Sequence, residues 1–303
     1  MTVTQDTLGI GELARRTGVP VRTLRFYCDE GVLTPLRSTG GHRRFEATAV
    51  EHVRQLRRLR AVGLGLDTIT EVLSGTRSLA DALASARARA EADLAAAAWR
   101  QATLQAIAQA PPGAREARLD LLALAADGRA THAALVSFWH NNFLAPVAED
   151  VLDMYLAAVA PPPPSVPTPA QVLAYAELLT LTATPGLAQA LHRQTARNAA
   201  AIRDETEYLH RLGGSLLAVL PKIPTTPPAP GPDLDTYLAM QAELRGAANT
   251  PAFHRELLAA QAVDRTPPIR RYWRLAGELT GTEVTAGEAH LWLLDALAAR
   301  LGQ

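Results

Sequence analysis

Apolar side chains recur every three or four residues over most of this 303-residue chain, the spacing that places them on one face of an α-helix. From residue 115 onward the pattern predicts an all-helical region, and no segment there alternates apolar and polar residues as a half-buried strand would. The predicted helices span 116–126, 131–159, 169–181, 186–220, 233–246, 252–263, 268–280 and 286–301. Two proline-rich segments, 161–169 and 221–232, divide these helices and are expected to be stiff, extended spacers outside the core.

The first seventy-five residues show a different arrangement, in which short helical patterns alternate with glycine and proline. Ile10, Leu13 and Ala14 form the apolar face of a first predicted helix. Gly18 marks a tight turn, and Pro20 marks the start of a second helix. This is the layout of a helix-turn-helix, whose second helix enters the major groove of DNA.

The predicted second helix has two faces of different chemistry. At about 100° per residue, Leu24 and Cys28 share one face of this helix. The residues on the opposite face are Arg22, Arg25, Phe26 and Asp29. Arginine suits both guanine edges and phosphates, because its guanidinium is a planar, two-pronged donor. We therefore expect the arginine face to meet DNA and the opposite face to pack on the core.

A hairpin is predicted after this helix. The paired glycines Gly40 and Gly41 separate two short extended segments and leave Arg43 and Arg44 at the edge of the resulting wing. Another pair of helices is expected at 47–61 and 66–74.

Charge agrees with a nucleic-acid partner for this part of the chain. Residues 1–75 hold eleven arginines against eight acidic residues, although the whole chain has a formal net charge of zero. A basic head on an acidic body is typical of a phosphate-binding module joined to another domain. Chance variation in surface charge also explains counts of this size, so the charge supports the helix-turn-helix prediction without establishing it.

Five elements of the head, in this order and spacing, resemble the MerR family of bacterial transcription regulators. They are Thr23-Leu24-Arg25-Phe26-Tyr27, Gly31-Val32-Leu33-Thr34-Pro35, Arg37, Gly41-His42-Arg43-Arg44-Phe45 and Leu59-Arg60-Ala61-Val62-Gly63-Leu64. The resemblance covers about residues 8–110. It implies a winged head, a long antiparallel dimerisation helix and a variable C-terminal sensor domain. It also implies promoter DNA that is bent and untwisted for RNA polymerase, which is then an indirect partner.

The resemblance also assigns roles to residues. Arg22 and Arg25 would lie in the major groove, Tyr27 would contact the DNA backbone or brace the helix, and Arg43 would hold the wing to phosphates. Cys28 stands where the family usually has glutamate, and we interpret it as a small buried residue. The side chains predicted to contact DNA are Arg22, Thr23, Arg25, Phe26, Tyr27, Arg37, Arg43 and Arg44.

An alanine- and arginine-rich helix is predicted over 78–110, before the Pro111-Pro112-Gly113 stop. Two interpretations of its apolar seam stay open, contact between two copies of the chain or packing on the chain's own C-terminal body. The seam consists of Leu79, Leu83, Ala86, Ala90, Leu94, Ala97, Gln101, Leu104 and Ala108.

The kind of signal that the body senses is only partly constrained by the sequence. Metal-sensing members of the family carry cysteines at the end of the dimerisation helix, whereas this chain has one cysteine, Cys28, and scattered histidines. No metal or cofactor is predicted. Another branch has an all-helical domain that captures peptide-like antibiotics, which is an analogy for this body. The aromatic residues proposed to line a pocket for an apolar molecule, with an ordinary core as the alternative, are Phe138, Trp139, Phe143 and Tyr155.

The sequence as a whole predicts a mainly α, cytoplasmic, homodimeric regulator without catalytic activity. No nucleophile elbow, phosphate loop or dinucleotide fingerprint is present, and no apolar run reaches the roughly 18 residues of a membrane helix. The predicted parts are a DNA-binding head at 1–75, a dimerisation helix at 76–110 and a helical effector or interaction domain at 111–303. The alternative is a protein that sequesters a drug or a partner and binds DNA only secondarily, for autoregulation.

Overall fold

The computed structural model describes residues 7–37, 42–141 and 147–303. The chain divides into two compact units, Met1–Leu94 and Ala95–Gln303, and the division falls inside one long helix. Both units are mainly helical, as the apolar spacing predicts.

The N-terminal unit is a helix-turn-helix with a small antiparallel sheet. The sheet has the strand order β1-β3-β2, with Leu36 opposite Arg44 and Leu8 opposite Phe45. The hairpin is predicted by the sequence, but the added strand β1 is not, because two residues are too short to show alternation. The elements are β1 Leu8–Gly9, α1 Ile10–Thr17, α2 Val21–Asp29, β2 Leu36–Arg37, β3 Arg43–Phe45, α3 Ala49–Ala61, α4 Leu66–Leu73 and the start of α5, which spans Leu79–Ala108.

One apolar cluster holds the N-terminal unit together. Gly18 adopts φ 68° between α1 and α2 and donates its N–H to the carbonyl of Ala14 at 2.9 Å, which closes α1 with a left-handed turn. The turn brings the apolar faces of the two helices together over the sheet and α3. The side chains with at most 1% exposure are Leu13, Leu24, Phe45, Val53, Leu56 and Ile69.

The C-terminal unit contains only helices and turns among its described residues. The helices are α6 Arg115–Ala123, α7 Gly128–His140, α8 Glu149–Val159, α9 Pro169–Thr182, α10 Leu187–Ala201, α11 Glu205–Val219, α12 Pro232–Leu244, α13 Pro251–Ala260, α14 Pro267–Thr280 and α15 Ala286–Arg300. Short 3-10 turns at Pro112–Ala114 and Leu220–Lys222 precede α6 and follow α11.

Two of the predicted helices are each two helices in the structure. The predicted span 131–159 divides into α7 and α8, and 186–220 divides into α10 and α11. The second break occurs because the side chain of Asp204 accepts the N–H of Glu207 at 3.0 Å and starts a new helix there. Apolar periodicity continues through such a cap and therefore does not show it.

Buried hydroxyl and indole groups organise the first of two apolar clusters in the C-terminal unit, where α9 packs on α7 and α14. The indole of Trp139 donates to the hydroxyl of Tyr272 at 2.8 Å, and that hydroxyl donates to the carbonyl of Val159 at 2.5 Å. The second cluster joins α11, α12, α13 and α15 around Tyr237 and Leu293, which have no exposed surface. The buried indole and hydroxyl of the first cluster are thus paired, as burial requires.

The first proline-rich segment is packed more closely than a spacer would be. Pro161 and Pro167 are buried, and the carbonyl of Pro161 accepts a hydrogen bond from the hydroxyl of Tyr175. In the second segment, the carbonyl of Thr226 accepts from the indole of Trp292 at 3.0 Å. The expectation that these segments lie outside the core is therefore wrong for the first, because buried donors on the helices bind its backbone carbonyls.

The long helix α5 has a buried face and an exposed face. Trp99, Ala102 and Ala106 are at most 3% exposed and pack in the first cluster of the C-terminal unit. Leu94 and Leu104, both on the predicted seam, are 72% and 68% exposed. The helix thus packs on its own C-terminal unit through a face other than the predicted seam. Much of the seam stays exposed to solvent in the single chain.

Close packing at Gly128 generates a stability prediction. A Cβ at this first residue of α7 would lie 2.4 Å from Cε3 of Trp99, whose indole is held by a 2.9 Å hydrogen bond to the carbonyl of Ala125. Gly128→Ala is expected to lower the free energy of unfolding by about 1–3 kcal/mol, because overpacking forces the neighbours to move. Urea denaturation measures this change.

The matched control for that substitution is Gly214→Ala on the exposed side of α11, where no atom lies within 4 Å of the added Cβ. This variant is expected to gain about 0.5–1 kcal/mol from the helix preference of alanine. Equal effects of the two substitutions would contradict the tight Trp99 contact.

Candidate nucleic-acid interface and ligand cavity

Helix α2 has one exposed face, and its opposite face packs on the core of the N-terminal unit. Leu24 and Tyr27 are 0% and 8% exposed and anchor the helix in the core. Arg22, Arg25 and Phe26 are exposed on the outer side. Phe26 shares this exposed face with the two arginines, and a face of this composition can contact base edges and the thymine methyl group.

Tyr27 is held by the protein at both its ring and its backbone. Its ring is buried in the core of the N-terminal unit, and its carbonyl accepts the N–H groups of Val32 at 2.9 Å and Leu33 at 3.0 Å. Of the two roles that the family resemblance offers for this residue, the burial favours bracing of the helix. Thr23, beside the exposed face, is half-buried.

The two arginines of the wing differ in what they contact. Arg43 forms a 2.7 Å ion pair with Asp29 at the end of α2, and both side chains keep exposed surface. Arg44 donates to the hydroxyl of Thr7 at 3.1 Å and to the carbonyl of Thr7 at 2.5 Å, so it links β3 to the start of the described chain. Arg37 lies opposite Arg43 in the sheet, and its side chain is outside the described part of the structure.

Several other arginines of the head hold backbone groups. Arg57 donates to the carbonyl of Thr17 at 2.8 Å, and Arg60 donates to that of Leu64 at 2.9 Å. Sequence reasoning counts these side chains only as positive charge. In the structure they close the turns that follow α1 and α3, a role for which the local sequence gives no separate signal.

Cys28 is half-buried beside the core of the N-terminal unit. Burial raises the pKa of its thiol above the ordinary value, and the nearby Arg43 guanidinium opposes this only in part. The group is therefore mainly protonated at neutral pH, which agrees with a small packing residue.

A cavity of about 380 Å³ lies in the C-terminal unit, between α7, α8, α10, α11, α14 and α15. Trp139 and Tyr155, two of the four aromatic residues predicted for a ligand site, line it. Phe138 instead packs edge-on against Trp139 with 5.3 Å between ring centroids. Phe143 lies outside the described residues. Trp273, which is outside the predicted set of four, is a further aromatic residue of the wall.

Polar side chains from several helices also meet in this cavity. The amide nitrogen of Gln194 donates to the carboxyl of Asp264 at 2.7 Å. The amide oxygen of Gln261 lies 3.1 Å from Nε2 of His290 and accepts the Tyr237 hydroxyl at 3.2 Å. Three buried polar atoms of the lining have no hydrogen-bond partner among the described residues. They are Oε1 of Gln194, Nε2 of Gln261 and Oε2 of Glu205.

Burial shifts the ionisation of the groups in the cavity. It raises the pKa of the carboxyls of Asp264 and Glu205 and lowers the pKa of the His290 ring. His290 lowers the pKa of Asp264, and Arg245 lowers the pKa of Glu205, but both effects are smaller than that of burial. Sequence reasoning missed this group because its members are far apart in the chain and each sits singly among apolar residues.

The described residues, 7–37, 42–141 and 147–303, include neither a membrane-spanning helix nor a cluster of metal ligands. No helix among these residues is both long and apolar enough to cross a membrane. Within the same residues, no three histidine, cysteine or carboxylate side chains are grouped as metal ligands would be.

Comparison with known proteins concerns the N-terminal unit. A family model described as MerR HTH family regulatory protein matches residues 8–76. The nodulation protein NolA of Bradyrhizobium elkanii is 47% identical over 73 residues, which cover 24% of this chain and 33% of NolA. The regulator HmrR of Rhizobium leguminosarum bv. viciae is 36% identical over 67 residues, which cover 22% of this chain and 52% of HmrR.

The regulator CueR of Yersinia pestis is 34% identical over 68 residues, which cover 22% of this chain and 49% of CueR. The chain thus spans about a third to a half of the length of these relatives. No solved structure matches the chain. The comparisons therefore bear on the head and leave the C-terminal unit to be interpreted from its own structure.

The positions of Arg22 and Arg43 lead to different expectations for DNA binding. Arg22→Ala is expected to reduce the preference for a selected promoter site over a point-mutated site by about 1–3 kcal/mol, because a base contact carries that preference. Arg43→Ala is expected to weaken binding to both DNAs alike, as loss of a phosphate contact does. Fluorescence anisotropy at fixed salt measures both.

Arg129→Ala, an exposed arginine on α7 of the other unit, is the charge-matched control for these variants. It should leave both affinities unchanged. An Arg22→Ala protein that keeps its full preference would show that the base-reading face lies elsewhere.

Proposed function

Residues 8–76 form a MerR HTH family domain, and from this we propose that the chain is a dimeric, sequence-specific transcription regulator that responds to a small molecule. Matched relatives such as HmrR and CueR are transcriptional regulators by name. The observation that carries the proposal is the exposed face of α2. Arg22, Arg25 and Phe26 stand outward on a helix that Leu24 and Tyr27 fix to the core.

The exposed face of α5 supports the dimer. Leu83, Leu94 and Leu104 are 44%, 72% and 68% exposed in the single chain. A shallow groove between Ala97 and Ala108 continues this face, and small side chains form part of it. Aligned apolar groups of this kind are typical of a protein interface. We propose a second copy of the chain as the occupant, because DNA-binding heads of this size gain affinity by binding two half-sites.

The cavity in the C-terminal unit supports a small-molecule effector. Its volume of about 380 Å³ lies within the range of roughly 300–1,000 Å³ that ligand pockets occupy. Its walls are mostly apolar, with a few buried polar side chains that would orient a ligand. RNA polymerase would be an indirect partner, through promoter DNA that the dimer distorts.

Dimerisation through α5 is tested at Leu94. Leu94→Asp is expected to give monomers in sedimentation experiments and to weaken promoter binding, because the seam would bury an unpaired charge at a cost of several kcal/mol. Since Leu94 is 72% exposed in the single chain, the fold itself should tolerate the change. Ala88→Asp places the same charge at an exposed off-seam position of α5 and should stay dimeric. A dimeric Leu94→Asp protein would place the interface elsewhere.

The regulator and the alternative, a sequestering protein that binds DNA only for autoregulation, differ in their effect on transcription. In a purified system with RNA polymerase, the proposed regulator changes transcript yield from target promoters other than its own. Arg22→Ala should abolish that change while leaving ligand binding intact. An effect restricted to the protein's own promoter would support the sequestering protein instead.

A further inference from the structure

We propose that the cavity of the C-terminal unit selects a small molecule with an apolar body and a protonated amine, and that the carboxyl of Asp264 is the counter-charge. This inference rests on the proposed effector role of the cavity. It adds the chemical class of the ligand, which follows from the hydrogen-bonding groups and charges of the lining.

The unpaired groups of the cavity are mainly hydrogen-bond acceptors. Oε1 of Gln194 and Oε2 of Glu205 each lack a donor among the described residues, whereas Nε2 of Gln261 lacks an acceptor. Gln194 and Gln261 are only 8% and 1% exposed, so bulk water reaches these amides poorly. Burial of a polar group without a hydrogen-bond partner costs free energy, and a ligand that supplies the partner gains affinity because it removes that cost. An ammonium group brings three donors to this site.

The orientation of Gln194 reinforces this preference. Its amide nitrogen is committed to Asp264 at 2.7 Å, so its free oxygen and the carboxylate both lie on the accepting side of the pair. Gln261 is oriented in the same way by Tyr237 and His290, which occupy its amide oxygen. The Gln194 amide is thus oriented by a protein partner, the carboxyl of Asp264.

The charges around the cavity favour a cation. Among the described residues, its lining contains the carboxyls of Asp264 and Glu205 but no lysine or arginine. His290 is a basic group of the lining that acts on Asp264, and burial lowers the pKa of its ring, so at neutral pH the ring is mainly uncharged. Arg245 lies near Glu205 but is bound to Gln241 and Asn198. Burial raises the pKa of both carboxyls, and an ammonium group beside them would favour their charged forms and form charge-assisted hydrogen bonds. A ligand carboxylate would instead disfavour those charged forms.

Aromatic rings form the wall that would hold the apolar body. The ring centroids of Trp139 and Trp273 are 6.0 Å apart, and those of Trp139 and Tyr155 are 6.5 Å apart. A Cβ on Gly287 would lie 1.8 Å from Cδ2 of Trp273, so this glycine lets the indole pack directly on α15. Aromatic faces also attract organic cations, which adds to the preference for an amine over a neutral head group.

The test compares three ligands that share one ring system and differ in the head group. The probes are 1-naphthylmethylamine, 1-naphthalenemethanol and 1-naphthoate, titrated into the full-length protein at neutral pH in a calorimeter. The amine is expected to bind at least about tenfold more tightly than the alcohol, since hydrogen bonds between charged groups are about twice as strong as neutral ones. Naphthoate is expected to bind most weakly.

Variants then locate the preference within the cavity. Asp264→Asn should bring the amine and alcohol affinities to within about twofold, because it removes the charge and keeps the shape. Asp153→Asn, at an exposed position on α8, is the matched control and should preserve the tenfold difference. Gln194→Leu is a second variant, which removes the hydrogen-bond partner of Asp264 and should also reduce the difference between the amine and alcohol affinities. It tests the inference if Asp264→Asn does not fold.

The outcomes separate this inference from the proposed function. Equal binding of the amine and the alcohol would overturn the amine preference but keep the cavity as a ligand site. If none of the three probes binds, both the amine preference and the proposal that the cavity is a ligand site are overturned. Failure of the regulator itself would appear independently, as loss of sequence preference in DNA binding by the unaltered protein.

Discussion

The packing of Trp99 against Gly128 is the contact on which the C-terminal unit depends most directly. It fixes the second half of α5 to the helices that follow, because the indole lies where any side chain on Gly128 would be and is hydrogen-bonded to Ala125. Since one face of α5 is used in this way, its opposite face cannot pack on the same unit. The apolar seam therefore stays exposed in the single chain, and it is the surface for which a second copy of the chain is proposed.

The head could be predicted from the sequence to a large extent because its signals are local. Apolar spacing, one glycine turn and a glycine pair are enough to locate two helices and a hairpin. The predictions fail where the deciding contact is not periodic. Strand β1 has two residues and forms only through pairing with β3, and Asp204 divides a continuous apolar pattern by capping α11. The start of the first proline-rich segment is buried because the hydroxyl of Tyr175 on α9 binds the carbonyl of Pro161, a contact between distant parts of the chain.

The cavity shows why the ligand site could be predicted only in part. Trp139 and Tyr155 belong to an aromatic cluster that is visible in the sequence, but aromatic residues at helical spacing are as typical of a core as of a pocket. The polar members come from α10, α11 and α15 and from the turn after α13. Tertiary packing alone brings these side chains together. It also leaves three of their amide and carboxyl atoms without hydrogen-bond partners among the described residues.

The ion pair between Arg43 and Asp29 gives DNA binding at the wing a distinct character. The carboxylate of Asp29 lies 2.7 Å from the guanidinium of Arg43, so an anion of the protein already engages the side chain that is proposed to contact a phosphate. A phosphate that engages Arg43 must displace an internal counterion and not only dissolved salt. Such an exchange releases fewer ions to the solution than the number of phosphate contacts suggests.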